Sequence, residues 1–530
     1  MYKGGDRMGT YLNPRCDNFK ESLAGAIFVD KSTLIGKVNE VIGTRQKYIC
    51  ISRPRRFGKT MALEMLAAYY TKGKTTKDLF QHLKVANLPS FPKYLNQFDV
   101  LKLNMQDFLS DTGNVDKMIE RIRTYLTKEL MAYHPDLPYL DTANLVQVMK
   151  DIYEYTGEKF VILIDEWDCL FREYKEDTKA QEKYLDFLRG WLKDQSYVAL
   201  AYMTGILPIK KYGTHSALNM FMEYSMLEPE PFEQDFGFTE AEVESLCQQF
   251  GVSLEEMRAW YNGYSLNEDT PIYNPTSVTY SLLRKSFRNY WSKTETYEAL
   301  QAYINLNYQG LRDKIVQMLA GDSVKINPDK FRNDMNTFGS ADEVLVLLLH
   351  LGYVSYAPSQ GTIRIPNHEV RKEFITAIEE LESWSPVVKS IQASENVLQA
   401  MWNQQNEEVA KLIQEAHQQH VSILQYNDEN ALSYVVSLAL LTAHNYYTVI
   451  RELPSGKGFT DLVFIPRQTF EHLPAMIIEL KWGKSASEAL AQIKERDYTQ
   501  ALKHYRGEVL LVGINYDRKS KDHECLIEEL

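Results

Sequence analysis

Uninterrupted apolar runs alternate with amphipathic stretches through the first two hundred residues. "KYICIS" (Lys47–Ser52), "DVLKLN" (Asp99–Asn104), "FVILID" (Phe160–Asp165) and "YVALAYMTG" (Tyr197–Gly205) are short enough, and apolar enough, to predict buried strands. "TMALEMLAAYYT" follows the first of them with Met61, Met65 and Leu66 at helical spacing, which predicts a helix. Residues 285–425 carry mainly helical patterns, such as "ADEVLVLLLHLGYV", with one small strand in "GTIRIPN". Beyond them the pattern changes again. "ENALSYVVSLALLTAHN" (Glu429–Asn445) reads as a helix, and "YYTVIREL", "GFTDLVFIP" and "AMIIELKWG" read as strands. "SASEALAQIKERDYTQALKHY" (Ser485–Tyr505) reads as a helix, with Ser485 as its cap and Glu488 three residues on. "EVLLVGIN" (Glu508–Asn515) closes the series as a buried strand. The predicted order is αβββαβ.

Composition narrows the class. At 530 residues the chain is long enough for roughly two to four domains, each with a core. Apolar residues make up 44% and charged residues 25%, as in soluble globular proteins. There is no low-complexity tract or short-period repeat. The net charge of -12 excludes a basic coat for nucleic acid, so any such binding needs a local patch. The five cysteines are scattered and form no CxxC pair, which argues against a disulfide framework or a zinc site. "MYKGGDRMGT" has no apolar core, and runs such as "VVSLALLTA" fall short of the roughly 20 residues of a membrane span. The expectation is a cytoplasmic protein with no membrane contact.

Candidate chemistry first appears in "SRPRRFGKT". The phosphate-binding pattern is G-x-x-x-x-G-K-[ST], and Arg53 stands where its first glycine belongs. The context is right: a predicted strand precedes the turn and a predicted helix follows it. A helix N-terminus there aims backbone N–H groups and the helix dipole at an anion. Arg53, Pro54, Arg55, Arg56, Phe57, Gly58, Lys59 and Thr60 form the candidate nucleotide loop. Lys59 would reach the β/γ-phosphates of ATP and Thr60 would hold Mg²⁺. The three arginines are either solvated or placed to steady phosphate charge or meet a partner. Asp165, ending the strand "FVILID", would bind the same Mg²⁺, and Glu166 would orient the attacking water. Thr204, ending the neighbouring strand, can sense the γ-phosphate.

The second candidate lies in the C-terminal strands. If "GFTDLVFIP" and "AMIIELKWG" pair as a hairpin, Ile465 can face Ala475, and Asp461 then lies opposite Glu479. Opposed residues have Cβ atoms roughly 5 Å apart. Lys481, two residues past Glu479, shares that face. Asp461 and Glu479 can bind a hard cation, Mg²⁺ or Mn²⁺, and Lys481 can position a water: the parts of metal-assisted phosphodiester hydrolysis.

"FVDKSTLI" (Phe28–Ile35), "RPRRFGKT", "LIDEWD" and "MTGILPI" together resemble the AAA-ATPase-like family whose members carry a C-terminal nuclease-like domain. In that family the loop is normally written R-P-R-R-F-G-K-[ST], so the resemblance makes Arg53 a family feature. "WYNGYS" (Trp260–Ser265) and "IYNPTSV" (Ile272–Val278) resemble its lid region. The C-terminal part is similar to the PD-(D/E)xK nuclease superfamily. The resemblance assigns the D to Asp461 and the E-x-K to Glu479-Leu480-Lys481. It also implies roles for Glu429 on the upstream helix, and for Gln492 and Tyr498 after the catalytic strand. Thr460 stands where the superfamily name has proline.

The expected architecture is α/β and multidomain. A P-loop NTPase-like α/β domain with its lid spans residues 1–284, a helical connector 285–425, and a restriction-endonuclease-like αβββαβ domain 426–530. The expected function is an ATPase coupled to a metal-dependent nuclease acting on nucleic acid, DNA first. The alternative is a nucleotide-controlled switch whose nuclease-like domain binds nucleic acid or protein without cutting. Lys484, Lys494, Arg496, Lys503, Arg506, Arg518, Lys519 and Lys521 are either a local phosphate-binding patch or salt-bridged surface side chains. A homo-oligomer or a protein partner is compatible with the acidic charge.

Overall fold

The computed structural model describes residues 9–530 except 74, 210–217, 267–269, 292–296, 307, 332–337, 421–428, 456–457, 468–469, 497–501, 503–504 and 506. The chain forms two compact units. The first comprises Met1–Gly251, Gly263–Arg284 and Ile326–Gly361; the second comprises Val252–Asn262, Lys285–Lys325 and Thr362–Leu530. Residues 285–425 are thus divided between the units and do not make a body of their own.

The first unit is built on a five-stranded sheet of β1 (Tyr48–Ser52), β2 (Asp99–Asn104), β3 (Phe160–Asp165), β4 (Val198–Gly205) and β5 (Met222–Tyr224). Their spatial order is β2-β3-β4-β1-β5, with every neighbouring pair parallel. Parallel sheets are covered on both faces, which is why these strands read as unbroken apolar runs. Every residue of β1, β3 and β4 is buried. Ile162, Leu163 and Ile164 are fully so, each contributing roughly 1.5–3 kcal/mol relative to exposure. Because β1, β3 and β4 run the same way side by side, Ser52, Asp165 and Thr204 reach one edge of the sheet together. That edge is where open α/β sheets bind ligands. Helix α1 (Lys59–Tyr70) starts at this edge, and the residues from Ala62 to Tyr70 are all buried.

The lid-like strings also take shape. Phe238–Thr239, Tyr264–Ser265 and Pro271–Tyr273 form a small antiparallel sheet. Asn274 then caps the helix Pro275–Arg284 by accepting from the Thr276 and Ser277 N–H groups.

The second unit contains α2 (Glu429–Ala439), β6 (Tyr447–Ser455), β7 (Gly458–Pro466), β8 (Ala475–Trp482), α3 (Ala486–Glu495), β9 (Val509–Tyr516) and β10 (His523–Glu529). Its sheet runs β6-β7-β8-β9-β10 in strand order, antiparallel except for β8 and β9. The expected αβββαβ series is present, with β10 added at the edge. Only His523, Cys525 and Ile527 of β10 turn inward, so its charged sequence hides the alternation. Leu462, Phe464, Met476 and Ile478 pack on the side of α2. Val463, Ala475 and Ile477 pack on the other side against Leu490 and Ile493 of α3. Ser485 caps α3 through the Glu488 N–H, as its sequence indicates. The helix is described over Ala486–Glu495, and most of the stretch from there to Tyr505 lies outside the described residues. All five cysteines are buried, and none is joined in a disulfide.

Candidate functional sites

The first site sits where β1 turns into α1. Gly58 has φ +91° and Arg56 φ +64°, so the loop coils tightly before the helix begins at Lys59. Lys59 is buried, and its ammonium donates to the Arg53 and Pro54 carbonyls at 2.9 Å each. Burial lowers its pKa, against the pull of the Glu166 and Asp165 carboxylates. Thr60 donates its hydroxyl to Asp165 Oδ2 at 2.7 Å, and Thr204 donates to Asp165 Oδ1 at 2.5 Å. The carboxylate at the end of β3 is thereby clamped between the loop and β4. Glu166 has φ +50° and pairs with Arg172. Burial raises the Glu166 pKa and the Arg172 guanidinium opposes the rise.

A cavity of about 610 Å³ opens beside the loop, lined by Arg55–Thr60, Glu166, Asp235, Gly237 and the helix residues Thr276, Thr279 and Tyr280. Its size suits a nucleotide. Phe57, in the cavity wall, meets Tyr264 edge-on, ring centroids 5.2 Å apart. Arg56 is exposed and Arg55 half-buried.

Arg53 corrects an expectation. Its side chain does not face the phosphate position. It is fully buried and donates to the carbonyls of Ser52 (2.9 Å), Tyr224 (2.9 Å) and Ser225 (3.0 Å). Phe236 lies under the guanidinium at 5.5 Å. Burial lowers its pKa to about 10, so it stays charged at neutral pH. Arg53 holds the chain after β5 against the loop, and only its backbone belongs to the nucleotide loop.

The second site is on the α3 side of the C-terminal sheet. The pairs Leu462–Ile478, Val463–Ile477 and Phe464–Met476 set the register, which continues to Asp461 opposite Glu479. Asp461 Oδ2 accepts from the Leu480 N–H at 2.7 Å. Lys481 donates to Glu479 Oε1 at 3.0 Å, and Gln492 of α3 donates to the same oxygen. Glu479 is 2% exposed, and its other oxygen, Oε2, is buried without a hydrogen-bond donor among the described residues. Burial, then the Asp461 charge, pushes its pKa up to about 7. A buried carboxylate oxygen lacking a donor, beside a second carboxylate, fits a hard divalent cation. Glu429 begins α2 on the other side of the sheet from α3. Its side chain, with Tyr498, Lys503 and Arg506, lies outside the described residues.

Residues 16–214 match the family model described as "Predicted AAA-ATPase", and residues 427–524 match the one described as "PD-(D/E)XK nuclease superfamily". Residues 16–214 thus form an AAA-ATPase-like domain, and residues 427–524 a PD-(D/E)XK nuclease superfamily domain. A curated relative from Azotobacter chroococcum mcd 1, described as "Uncharacterized protein in vnfD 5'region", is 25% identical over 253 residues. That match covers 46% of this chain and 47% of the relative, so the chain spans about half its length. Among solved structures, the Aeropyrum pernix ORC2 protein aligns at 10% identity, covering 66% of this chain and 90% of that one, with a TM-score of 0.28. The Aeropyrum pernix ORC1 protein, solved in complex with DNA, aligns at 10% identity over 70% and 98% with a TM-score of 0.24. Both scores are too low to indicate a shared overall arrangement.

The AAA-ATPase-like domain holds two functional-looking residues that the sequence reading missed. Asp168 accepts from the Ile206 and Leu207 N–H groups at 3.0 and 2.8 Å, and Arg172 bridges it to Glu166. The second aspartate of "DEWD" was the available signal. In the PD-(D/E)XK domain, Lys484, Arg496, Arg518, Lys519 and Lys521 are exposed, whereas Lys494 pairs with Glu528.

Proposed function

We propose that this protein binds and hydrolyses ATP in its first unit and cleaves nucleic acid, DNA first, with a divalent metal in its second. The observation that carries the nuclease reading is the Asp461–Glu479 pair, with its donor-free Glu479 oxygen and Lys481 alongside. Asp461 and Glu479 would hold the metal, Mg²⁺ or Mn²⁺. Bound there, the metal would supply charge stabilisation at the phosphodiester and an acidified water. Gln492 and Lys481 fix Glu479 in place by donating to one oxygen, so the other would be available to hold the cation. Lys481 can also orient a water next to the phosphate. Glu429 is a further candidate by its place in the chain.

In the nucleotide site, Lys59 is the group that exchanges two loop carbonyls for phosphate oxygens. Thr60 and Asp165 would hold Mg²⁺, Glu166 would orient water once released from Arg172, and Thr204 would sense the terminal phosphate through Asp165. Nucleotide turnover would gate the nuclease or remodel its target. The exposed cations near α3 would steady the strand.

The test is cleavage of single- and double-stranded DNA with Mg²⁺ or Mn²⁺, with and without ATP, next to the Asp461→Ala protein. Cleavage that needs both the metal and Asp461 supports the reading. Metal-dependent cleavage that persists in Asp461→Ala overturns it.

A further inference from the structure

The second unit gathers basic side chains on the sheet face away from its nuclease-like site. Arg371, His444, Arg451 and Ser437 line a cavity of about 240 Å³ floored by Val449, Leu462 and Phe464. Leu462 and Phe464 belong to the α2 face of the sheet, whereas Asp461 and Glu479 belong to the other. Arg371 donates to the Leu319 carbonyl at 2.9 Å and has no carboxylate partner among the described residues. Arg451 pairs with Asp322 and donates to Ser433 at 2.9 Å. Ser437 Oγ is buried with no hydrogen-bond partner among the described residues.

Further basic side chains lie close to Arg371 and His444. Arg467 is 6% exposed, and among the described residues its Nε lacks an acceptor. His368 is 6% exposed, and among the described residues neither ring nitrogen has a partner. Both lie against Trp260: the His368 ring edge-on at 4.4 Å and the Arg467 guanidinium at 5.7 Å. Lys372 sits over the same indole at 4.8 Å. Among the described residues, the acidic groups that act on this set are Asp322, held by Arg451, and Glu256, which acts on Arg467. Positive charge therefore exceeds negative in a poorly solvated region. Burying unpaired charge is costly, and the cost shows as lowered pKa values for Arg371 and Arg467. A bound dianion would offset it.

We infer that the second unit holds a binding pocket for a phosphate monoester, built from Arg371, His444, Arg451 and Ser437. Arg371 supplies a planar fork matched to phosphate oxygens. Ser437 and neutral His444 add hydrogen-bond donors, and Arg467 adds charge close by. The same chemistry can come from the phosphorylated end of a nucleic-acid strand or from a small phosphate ester. The inference stands apart from the nuclease reading, since it uses none of Asp461, Glu479 or Lys481.

The test uses the full chain carrying Lys59→Ala, in EDTA, so that neither the nucleotide loop nor a metal contributes. Inorganic phosphate is titrated against chloride at constant ionic strength while the melting temperature is followed. The expected result is a saturable rise with phosphate alone, weakened about 10- to 100-fold in apparent affinity by Arg371→Gln and partly restored by Arg371→Lys. Should Arg371→Gln not fold, Ser437→Ala and His444→Gln carry the comparison. No phosphate-specific rise, or an unchanged midpoint in every folded variant, overturns the inference. A second arm compares 5′-phosphorylated with 5′-hydroxyl oligonucleotide. Tighter binding of the phosphorylated strand, lost in the variants, assigns the pocket to strand ends. Equal binding beside a saturable phosphate response assigns it to small phosphate esters.

Discussion

Thr204, near the end of one strand, donates its hydroxyl to Asp165 at the end of the next, 2.5 Å away. The two residues are 39 positions apart in sequence, and the parallel pairing of their strands brings them together. Thr204→Val keeps the shape and removes the donor. ATP hydrolysis should fall about 100-fold, the scale of one lost electrostatic donor, while nucleotide affinity changes little. Single-turnover hydrolysis alongside equilibrium binding separates the two effects.

Lys59→Ala should abolish nucleotide binding or hydrolysis, because its ammonium at the helix start is the loop cation held ready on the Arg53 and Pro54 carbonyls. Binding of a fluorescent ATP analogue checks this. Wild-type affinity in the variant would remove Lys59 from the site.

Arg53→Gly would recreate the usual loop pattern, yet it should destabilise the protein. Three carbonyls would lose a charged donor in the interior, each at about 1–3 kcal/mol. The sum should be roughly 3 kcal/mol or more, read as a lower urea midpoint. An unchanged midpoint would mean the guanidinium contributes nothing to the fold.

This residue marks the limit of what the sequence made legible. Its partners Tyr224 and Ser225 lie 171 and 172 positions away, and no local pattern points at them. The Asp461–Glu479 register, by contrast, was legible because alternation and flanking prolines constrain a hairpin strongly. The strands of the first sheet were legible because burial on both faces leaves them uniformly apolar. β10 was not, since four of its seven residues are Glu or His. Periodicity makes the middle region one helical connector. Its helix Ala341–Leu351 is grouped with the first unit and buried at every position but Asp342, a grouping that depends on packing and not on periodicity.

Gln492→Ala should act through Glu479. The amide donates to the glutamate oxygen that Lys481 also holds, so its loss frees the carboxylate to turn. Such supporting contacts are typically worth about 10- to 100-fold in metal affinity. Calorimetric titration of Mn²⁺ should show a loss of that size, with an unchanged melting temperature in EDTA.

Gly513 lies opposite Glu479 in the parallel pair of β8 and β9. A Cβ there would meet the Ala486 carbonyl at 2.3 Å. Gly513→Ala should push the start of α3 off the sheet and cost about 1–3 kcal/mol. It should also weaken Mn²⁺ binding, because α3 carries Gln492. Loss of stability with intact metal affinity would show that the helix start moves independently of the site.

The buried guanidinium of Arg53 also acts as a mechanical splice. It ties the phosphate loop to the chain leaving the edge strand, and that chain leads on to Gly237, whose N–H bonds the Phe57 carbonyl at 3.0 Å. The loop is thus stitched at both its start and its middle to one downstream segment. Any shift of the loop that accompanies nucleotide exchange must drag this segment along, so the splice gives the domain a short rigid lever between its phosphates and its lid.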